Sequence, residues 1–339
     1  GKDVISVSML RCVPWSGLCA ILSSFQQLFK RRFCSPPQWR SICISLMPNH
    51  ARVTDFTEMR ALSLLSCLSK WYMSCITLVA ADHLKRSVRP ACMLYGFAGD
   101  RRCHEITAIV KRMAQHSTEW GKSRSTCFAT LDVERAFDHV TTEGLSRTME
   151  ELNFPPELAF AMLEGQANCT ADFKFQEVEV CDLPWDRCVR TGSVEAPLGW
   201  ICESIVMFHD VCRTWDRQGV GIPLTAQTGH RRFSHAIWAD NLILGAPTLV
   251  QLRAMIRDMS IALYARGYKW KPSSLEFIMF GDRPSVETPL EVCFPIPATT
   301  TEPDCSDTGR SKRPRLHAST TVETTITLRC VDKLVILGT

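Results

Sequence analysis

The hydrophobic residues of this chain recur at both helical and strand spacing, which predicts a mixture of helices and strands. Residues 17–32 and 248–266 carry apolar side chains along one helical face, and Gly267 ends the second of these predicted helices. Residues 127–133 form a short apolar run that ends in a carboxylate, which predicts a buried strand. Residues 234–246 predict two β segments that meet at a tight turn.

The same periodicities predict further elements. These are a long buried helix over 61–86, an amphipathic helix from Arg101, helices over 134–151, 156–167 and 197–214, and an alternating strand over 172–180. In the middle of the chain, the resulting order is strand, helix, strand, strand, helix. This order predicts an α+β fold in which an antiparallel sheet carries helices on one face, a split βαβ arrangement.

Residues 281–323 differ from the rest of the chain because they are rich in Pro, Thr and Ser. This composition predicts a flexible insertion. Its basic run, GRSKRPRLH at 309–317, is compatible with a nuclear localisation signal and also with an ordinary solvated loop. The last ten residues, 330–339, return to the pattern of a strand.

Charge is distributed unevenly along the chain. Residues 1–130 hold 18 Lys and Arg against 7 Asp and Glu, whereas the remaining residues hold 21 against 28. A basic half beside an acidic half suits a polyanion-binding surface next to a carboxylate site, although exposed helices also carry Lys and Arg for solvation alone. No apolar run reaches about 18 residues, so we expect no membrane span.

The 17 cysteines are scattered singly and include no C-x-x-C pair. A zinc site normally requires two close pairs of ligands, so neither a zinc site nor a disulfide framework is predicted. Reduced, mostly buried thiols indicate an intracellular reducing compartment, nuclear or cytoplasmic. Because the chain begins without an initiator Met or a signal peptide, we expect it to be part of a longer translation product.

Two carboxylates stand where strands are predicted to end, Asp132 after the first apolar strand and Asp240 in the tight turn. If these ends meet at one edge of a sheet, the two side chains can share divalent cations, as phosphoryl-transfer centres require. An Asp at the end of a strand is also a common N-cap of the following helix, so periodicity alone leaves both roles open.

Eight segments in order carry a family resemblance. The segments that resemble motifs A, B, C and D of reverse transcriptases and their primer-grip hairpin, motif E, are LDVERAFDHV (131–140), RTGSVEAPLGW (190–200), IWADNLIL (237–244), LYARGYKWKPSSLEFIMF (263–280) and VDKLVILGT (331–339). The segments that resemble finger motifs are SLMPN (45–49), RALSLLSCLSKWY (60–72) and YGFAGDRRCHEITAIV (95–110). The chain thus resembles the reverse transcriptase domain of non-LTR (LINE-type) retrotransposons.

This resemblance implies the fingers and palm of a right-hand polymerase. We expect an N-terminal helical extension at 1–39, fingers at 40–125, a palm at 126–280, the flexible insertion at 281–323 and a primer-grip-like hairpin at 324–339, with the thumb absent or truncated. The implied partners are an RNA template, a DNA primer and deoxynucleoside triphosphates. The implied cofactor is Mg²⁺ or Mn²⁺.

The resemblance also implies which residues form the catalytic centre. Asp132 and Asp240 become metal ligands, with the backbone carbonyl of Val133 nearby. Asn241 stands beside them, at the position where the family usually has a second Asp of motif C.

Nucleotide and template contacts are implied in the same way. Phe137 becomes the steric gate whose ring excludes a ribose 2′-hydroxyl, and Gly192 lets the backbone approach the nascent base pair. Arg60 contacts the incoming triphosphate, because a guanidinium fork matches phosphate oxygens. The basic residues expected to guide the template are Arg101, Arg102, Lys111 and Arg112.

The chain departs from the family pattern at four places. Asn241 lacks the charge of the usual Asp, Thr191 replaces the usual Gln of motif B, and Asn49 replaces a common Lys. Motif D usually carries Lys two residues after its Pro, whereas Pro272 is followed by two serines. Lys269 and Lys271 lie nearby, and the sequence leaves open whether either substitutes for it.

Two functions follow as alternatives. One is a polymerase that extends a primer 3′-hydroxyl with two metal ions, its activity reduced by Asn241. The other is a catalytically inactive descendant that still binds nucleic acid, which the four departures favour. Retention of Asp132, Phe137 and Asp240 favours the polymerase.

Overall fold

A computed structural model describes residues 3–48, 52, 59–87, 102–119, 125–167, 169–175, 178–185, 189–224, 232–281, 289–297 and 321–331. In chain order, the helices are α1 (Val7–Arg11), α2 (Trp15–Arg31), α3 (Pro37–Arg40), α4 (Cys67–Ser87), α5 (Cys103–Glu119), α6 (Ala136–His139), α7 (Thr142–Glu151), α8 (Pro156–Glu164), α9 (Ala196–Gln218) and α10 (Leu249–Ala265). The strands are β1 (Ser41–Pro48), β2 (Met59–Leu64), β3 (Thr126–Asp132), β4 (Cys169–Phe175), β5 (Val178–Trp185), β6 (Ile222–Pro223), β7 (Arg232–Phe233), β8 (His235–Trp238), β9 (Asn241–Ala246), β10 (Glu276–Phe280), β11 (Leu290–Pro297) and β12 (Thr321–Cys330).

The chain divides into two compact units, each made of two stretches of sequence. The first comprises Gly1–Pro90 and Arg135–Val206, and the second comprises Ala91–Glu134 and Met207–Thr339. Each unit has its own sheet, its own core and its own part of the predicted motifs.

The first unit contains a sheet of order β2-β1-β4-β5, in which β1 and β4 are parallel and the other neighbours are antiparallel. The predicted N-terminal helix is confirmed as α2, and it enters the core of this unit through Phe25. The ring centroid of Phe25 lies 6.1 Å from that of Trp39 and 5.4 Å from that of Tyr72, both edge-on. Such aromatic packing anchors α2 to α3 and α4.

Three predictions about the first unit were wrong in part. The expected helix over 61–86 begins only at Cys67, because residues 59–64 pair with β1 as strand β2. The expected helix over 134–151 is interrupted at Val140, whose backbone is extended, and restarts where the Thr141 side chain caps α7. The single strand expected over 172–180 is the hairpin β4–β5, which joins β1 rather than the sheet that carries Asp132.

The second unit is built on a sheet of order β11-β12-β10-β3-β9-β8, in which β10 and β12 are parallel and the other neighbours are antiparallel. Strand β3 lies between β10 and β9, and its apolar residues are buried on both faces, which explains its uninterrupted apolar run. On one face, Ile106 and Val110 of α5 pack with Phe128, Ile243 and Ile278.

The prediction of a flexible insertion over 281–323 is wrong for residues 290–297. They form β11, which pairs antiparallel with β12 from Leu290–Leu328 to Pro297–Thr321. The apolar residues Leu290, Val292 and Phe294 alternate along the strand and are buried. This period of two was hidden by the Pro and Thr content, and burial of one face of the hairpin stabilises it. Residues 298–320, including the basic run, lie outside the described residues, as do 332–339 of the predicted motif E hairpin.

Helix α10 and the segment after it close the second unit. The side chain of Thr248 caps the N-terminus of α10, and Gly267, with φ of +83°, follows its C-terminus as predicted. Trp270 is buried beyond this turn, and its indole nitrogen donates a 2.8 Å hydrogen bond to the hydroxyl of Ser260 on α10. The segment that follows α10 is therefore held against the helix.

The helices of the described part include no membrane-spanning candidate, since each is too short or too polar to cross a bilayer.

We predict that Ser260→Ala destabilises the protein by about 1–3 kcal/mol, because the buried indole N–H of Trp270 would lose its acceptor. Urea unfolding would measure the loss. In a Trp270→Phe background there is no indole N–H to satisfy, so the same substitution should cost less by at least about 1 kcal/mol. An equal cost in both backgrounds would show that the hydrogen bond does not contribute.

Candidate active site

The two predicted carboxylates meet at one edge of the second unit's sheet. Asp132 is the last residue of β3, and its partner in the register of β9 is Asn241. The backbone N–H of Val133 donates to the carbonyl of Asp240 over 3.1 Å. The expectation that the strand ends bearing Asp132 and Asp240 converge is thus confirmed by the pairing of β3 with the β8–β9 hairpin.

The turn that presents Asp240 is short and strained. Trp238 pairs with Asn241, so Ala239 and Asp240 are the two residues of the hairpin loop. Ala239 has φ of +54°, a left-handed conformation that a residue with a Cβ adopts only at a cost. The sheet register on both sides of the loop holds this conformation and places Asp240 beside the end of β3.

The segment after α10 forms the other side of the site. The N–H of Lys271 donates to the carbonyl of Asp132 over 2.8 Å, and the N–H of Glu134 donates to the carbonyl of Lys269 over 2.9 Å. The hydroxyl of Ser274 accepts a 3.0 Å hydrogen bond from the N–H of Asp132 and donates to the carbonyl of Lys271 over 2.8 Å. Both backbone polar groups of Asp132 are therefore bound by this segment.

Lys271 also contributes a charge to the site. Its Nζ lies 3.7 Å from Oδ2 of Asp132, and the Asp132 side chain is only 18% exposed. The sequence left open whether Lys269 or Lys271 substitutes for the motif D lysine, and of these two it is Lys271 that forms an ion pair with Asp132. Ser274 was a residue that sequence reasoning missed, since it was noted only as the absence of a lysine.

The ionisation of Asp132 is unfavourable in this environment. Burial and, secondly, the charge of Asp240 raise the pKa of Asp132 from 3.8 to about 6, while Lys271 opposes the rise. Its Oδ1 is buried and has no hydrogen-bond partner among the described residues. An unpartnered carboxylate oxygen beside a second carboxylate is the kind of ligand that a hard divalent cation takes.

Asp132 and Asp240 therefore fit a divalent cation, and the neutral Asn241 is the residue paired with Asp132 in the sheet. Among the residues that the structure describes, no group of three or more His, Cys, Asp or Glu side chains is placed to hold a metal. Asn241 stands where the family pattern has another carboxylate, so the pairing of β3 with β9 places a neutral amide opposite Asp132.

The nucleotide-binding candidates all lie in the first unit. The carbonyl of Phe137 accepts a 3.2 Å hydrogen bond from the N–H of Val189, which directly precedes motif B, and the ring centroid of Phe137 lies 6.1 Å from that of Trp200. Gly192 has φ of +103°, and a Cβ there would lie 3.0 Å from the carbonyl oxygen of Ser63. Arg60 lies on the same strand as Ser63, β2, and is exposed.

The loop that carries Gly192 is fixed at both ends. The carbonyl of Thr191 accepts a 2.8 Å hydrogen bond from the N–H of Ser63, which ties the loop to β2. Arg190 and Glu195 form an ion pair of 3.1 Å in which both side chains are 1% exposed, and Arg190 also contacts the Cys169 sulfur. Glu195 directly precedes α9, where a negative charge is favourable. The sequence analysis did not identify this pair, although an Arg and a Glu five residues apart around a Gly were visible.

The structure describes only some of the residues that were predicted to guide the template. Arg102, Lys111 and Arg112 are exposed on or just before α5, whereas Ile106 and Val110 of that helix are buried, so the predicted amphipathic helix is confirmed. Arg101 lies outside the described residues, as does Asn49. Contact of these side chains with a template stays a prediction.

We predict that Asp132→Asn stabilises the protein at pH 8 but not at pH 4 when metal is chelated. A carboxyl whose pKa is raised by folding stabilises the fold fully below pH 3.8 and loses that contribution as the pH rises through about 6. The neutral amide avoids the loss, on the order of 2–3 kcal/mol. Thermal unfolding in EDTA at both pH values measures it, with exposed Asp138→Asn as control. A gain that is equal at both pH values would contradict the assignment.

We also predict that Glu195→Gln destabilises the protein by about 3–5 kcal/mol, since it leaves the buried guanidinium of Arg190 without a counter-charge. The matched control is Glu179→Gln, which removes an exposed ion pair to Lys174 and should cost less than about 1 kcal/mol. Urea unfolding of the two variants gives the comparison. Similar losses from both substitutions would mean that the buried pair has no special role.

The chain is similar to known proteins in sequence and in fold. The family model described as reverse transcriptase (RNA-dependent DNA polymerase) matches residues 49–303. The structure of apo telomerase from Candida tropicalis, truncated from its C-terminal domain, is 13% identical and has a TM-score of 0.52, covering 79% of this chain and 56% of that chain. Telomerase from Candida albicans, in complex with a fragment of telomeric RNA, is 10% identical, with a TM-score of 0.49, 79% of this chain and 46% of that chain covered. No curated protein matches the chain.

The structural likeness to the first telomerase shows the fold alone, and it confirms the predicted α+β architecture of polymerase fingers and palm. The chain spans about half the length of the telomerases it matches. The family model, in contrast, covers most of the chain and includes Asp132, Phe137, Gly192, Asp240 and Asn241. This protein therefore belongs to the reverse transcriptase (RNA-dependent DNA polymerase) family.

Proposed function

We propose that this chain is the fingers and palm portion of an RNA-directed DNA polymerase from a non-LTR retroelement, with activity reduced by Asn241. The observation that carries the proposal is the convergence of Asp132 and Asp240 at the joined ends of β3 and the β8–β9 hairpin. The eight motifs in order support the non-LTR origin, since three of them resemble finger motifs of such elements.

The residues of the second unit have a defined part in this reaction. Asp132 and Asp240 would hold divalent cations, Mg²⁺ or Mn²⁺, beside the carbonyl of Val133. When bound, such cations lower the pKa of the primer 3′-hydroxyl and neutralise charge on the phosphate oxygens. The backbone hydrogen bonds to Lys271 and Ser274 hold Asp132 in one orientation, so the carboxylate does not need to reorganise.

The residues of the first unit would select and orient the deoxynucleoside triphosphate. Phe137 is the steric gate against a 2′-hydroxyl, and Arg60 pairs with phosphate oxygens. Gly192 would let the backbone approach the nascent base pair. The lack of a Cβ also lets its loop lie against Ser63 of β2, where the N–H of Ser63 donates to the carbonyl of Thr191. Arg101, Arg102, Lys111 and Arg112 would guide the RNA template and DNA primer through their phosphates.

A second function is favoured by one observation: the residue that pairs with Asp132 in the β3–β9 register is the neutral Asn241, and the part of the chain that the structure describes has no group of three or more metal-ligating side chains. In this alternative the chain binds RNA or DNA without polymerising. The 14 cysteines in the described part form no disulfides, which supports a reducing compartment, nuclear or cytoplasmic, for either function. The expectation that the thiols are mostly buried is wrong, since only four of these 14 cysteines are buried.

Primer extension on an RNA template with Mg²⁺ or Mn²⁺ separates the two functions. We expect the native chain to extend the primer slowly, Asn241→Asp to increase the rate by at least about tenfold through the restored charge, and Asp132→Ala to abolish extension. Asp138→Ala, which removes an exposed carboxylate six residues away, is the control and should retain the native rate.

If the native chain does not extend the primer and Asn241→Asp does, the loss of polymerase activity is due to the missing charge at position 241. If no variant extends the primer, but the chain binds an RNA–DNA hybrid with an affinity that falls steeply as salt is added, the non-catalytic alternative is supported. Extension that persists in Asp132→Ala would contradict the assigned site.

A further inference from the structure

The charge at the candidate active site differs from the family pattern by more than one residue. The resemblance implies three carboxylates, whereas this chain provides Asp132 and Asp240 with the neutral Asn241. In addition, the ammonium of Lys271 lies 3.7 Å from Oδ2 of Asp132. With both carboxylates ionised, the side chains of Asp132, Asp240 and Lys271 together carry a single net negative charge.

The backbone of Lys271 is held in place at this site. Its N–H is bound to the carbonyl of Asp132, and its carbonyl accepts from Ser274, whose oxygen also binds the N–H of Asp132. Pro272 follows it and restricts the backbone further. The Lys271 side chain is 53% exposed, and its backbone is hydrogen-bonded to the residue whose carboxylate its ammonium faces.

The two oxygens of the Asp132 carboxylate have different surroundings. Oδ2 faces the ammonium of Lys271, whereas Oδ1 is buried and has no hydrogen-bond partner among the described residues. One side of the carboxylate is thus already neutralised by the protein. The other side and the Asp240 carboxylate remain for a cation.

We propose that Lys271 is a fixed counter-charge that takes the place of one of the two divalent cations of the family pattern, so that this centre binds a single divalent cation. This inference rests on the proposed function for the identity of the site, but it concerns metal stoichiometry and does not require polymerisation. Asn241 and Lys271 have complementary effects. Asn241 lacks the negative charge that would help to bind a second cation, and Lys271 supplies a positive charge where that cation would otherwise be.

Mn²⁺ binding followed by electron paramagnetic resonance tests the inference on the full chain without nucleotide. We expect the native chain to bind one Mn²⁺, and Asp132→Ala to abolish this binding. Lys271→Gln should bind Mn²⁺ at least about tenfold more tightly, because a positive charge a few ångströms from the carboxylate is removed. Lys271→Arg, which keeps the charge, should bind one ion with native-like affinity.

Two further variants sharpen the test. Lys269→Gln removes an exposed lysine two residues away and should leave Mn²⁺ affinity unchanged, which excludes a general effect of net charge. The double variant Asn241→Asp, Lys271→Gln should bind two Mn²⁺ close enough for their spins to couple, since paired catalytic metals lie about 3.5–4 Å apart.

Two Mn²⁺ in the native chain, none at this site, or equal affinity in Lys271→Gln and Lys269→Gln would each overturn the inference. Its failure is distinguishable from failure of the proposed function. If primer extension depends on Asp132 but Mn²⁺ affinity does not change when Lys271 is replaced, the role of Lys271 as a counter-charge is wrong and the proposed polymerase function stands. Absent extension with the expected Mn²⁺ results would leave a one-metal centre in a protein that does not polymerise.

Discussion

The repulsion between two carboxylates at neighbouring strand ends is the interaction on which the second unit's site depends. Burial and the charge of Asp240 raise the pKa of Asp132 to about 6, so ionisation at neutral pH opposes folding. The ladders from β3 to β9 and β10, with the hydrogen bonds from residues 269–274, hold the two groups together nevertheless. An ionised group that is unfavourable in the folded state, and that is held in place by the surrounding hydrogen bonds, is typical of a functional site.

The first unit uses the opposite electrostatic principle. Arg190 and Glu195 are buried as a pair of unlike charges, and they fix the loop that carries Gly192 at the N-terminus of α9. A buried pair of this kind contributes less to stability than to a defined geometry, because desolvation offsets much of the attraction. In one unit the charges are held in spite of their repulsion, while in the other their attraction orders the loop.

Family membership and catalytic competence depend on different parts of the chain. The sheet register that brings Asp132 to Asn241 uses backbone hydrogen bonds and apolar side chains, and neither changes when an Asp becomes an Asn. The charge beside Asp132 does change, because an amide of similar shape is neutral where a carboxylate is negative, and hard cations prefer the carboxylate. A fold can therefore be retained while its chemistry is altered at a single atom.

The sequence by itself determined the elements whose periodicity is strong and local. Helices α2 and α10, strand β3 and the β8–β9 hairpin were predicted because spacing along the chain is enough to define a buried face. The order of the motifs likewise identified the positions of Asp132 and Asp240. Composition was less reliable, since the Pro and Thr content around β11 concealed an alternating buried face.

Only the tertiary structure decided which distant residues meet. The β4–β5 hairpin pairs with β1 rather than with β3, Lys271 rather than Lys269 forms the ion pair with Asp132, and Ser274 binds the N–H of Asp132. The partner of a strand edge and the reach of a side chain depend on segments far apart in sequence. Periodicity describes one segment at a time, whereas these contacts are set by the packing of several segments around a common core.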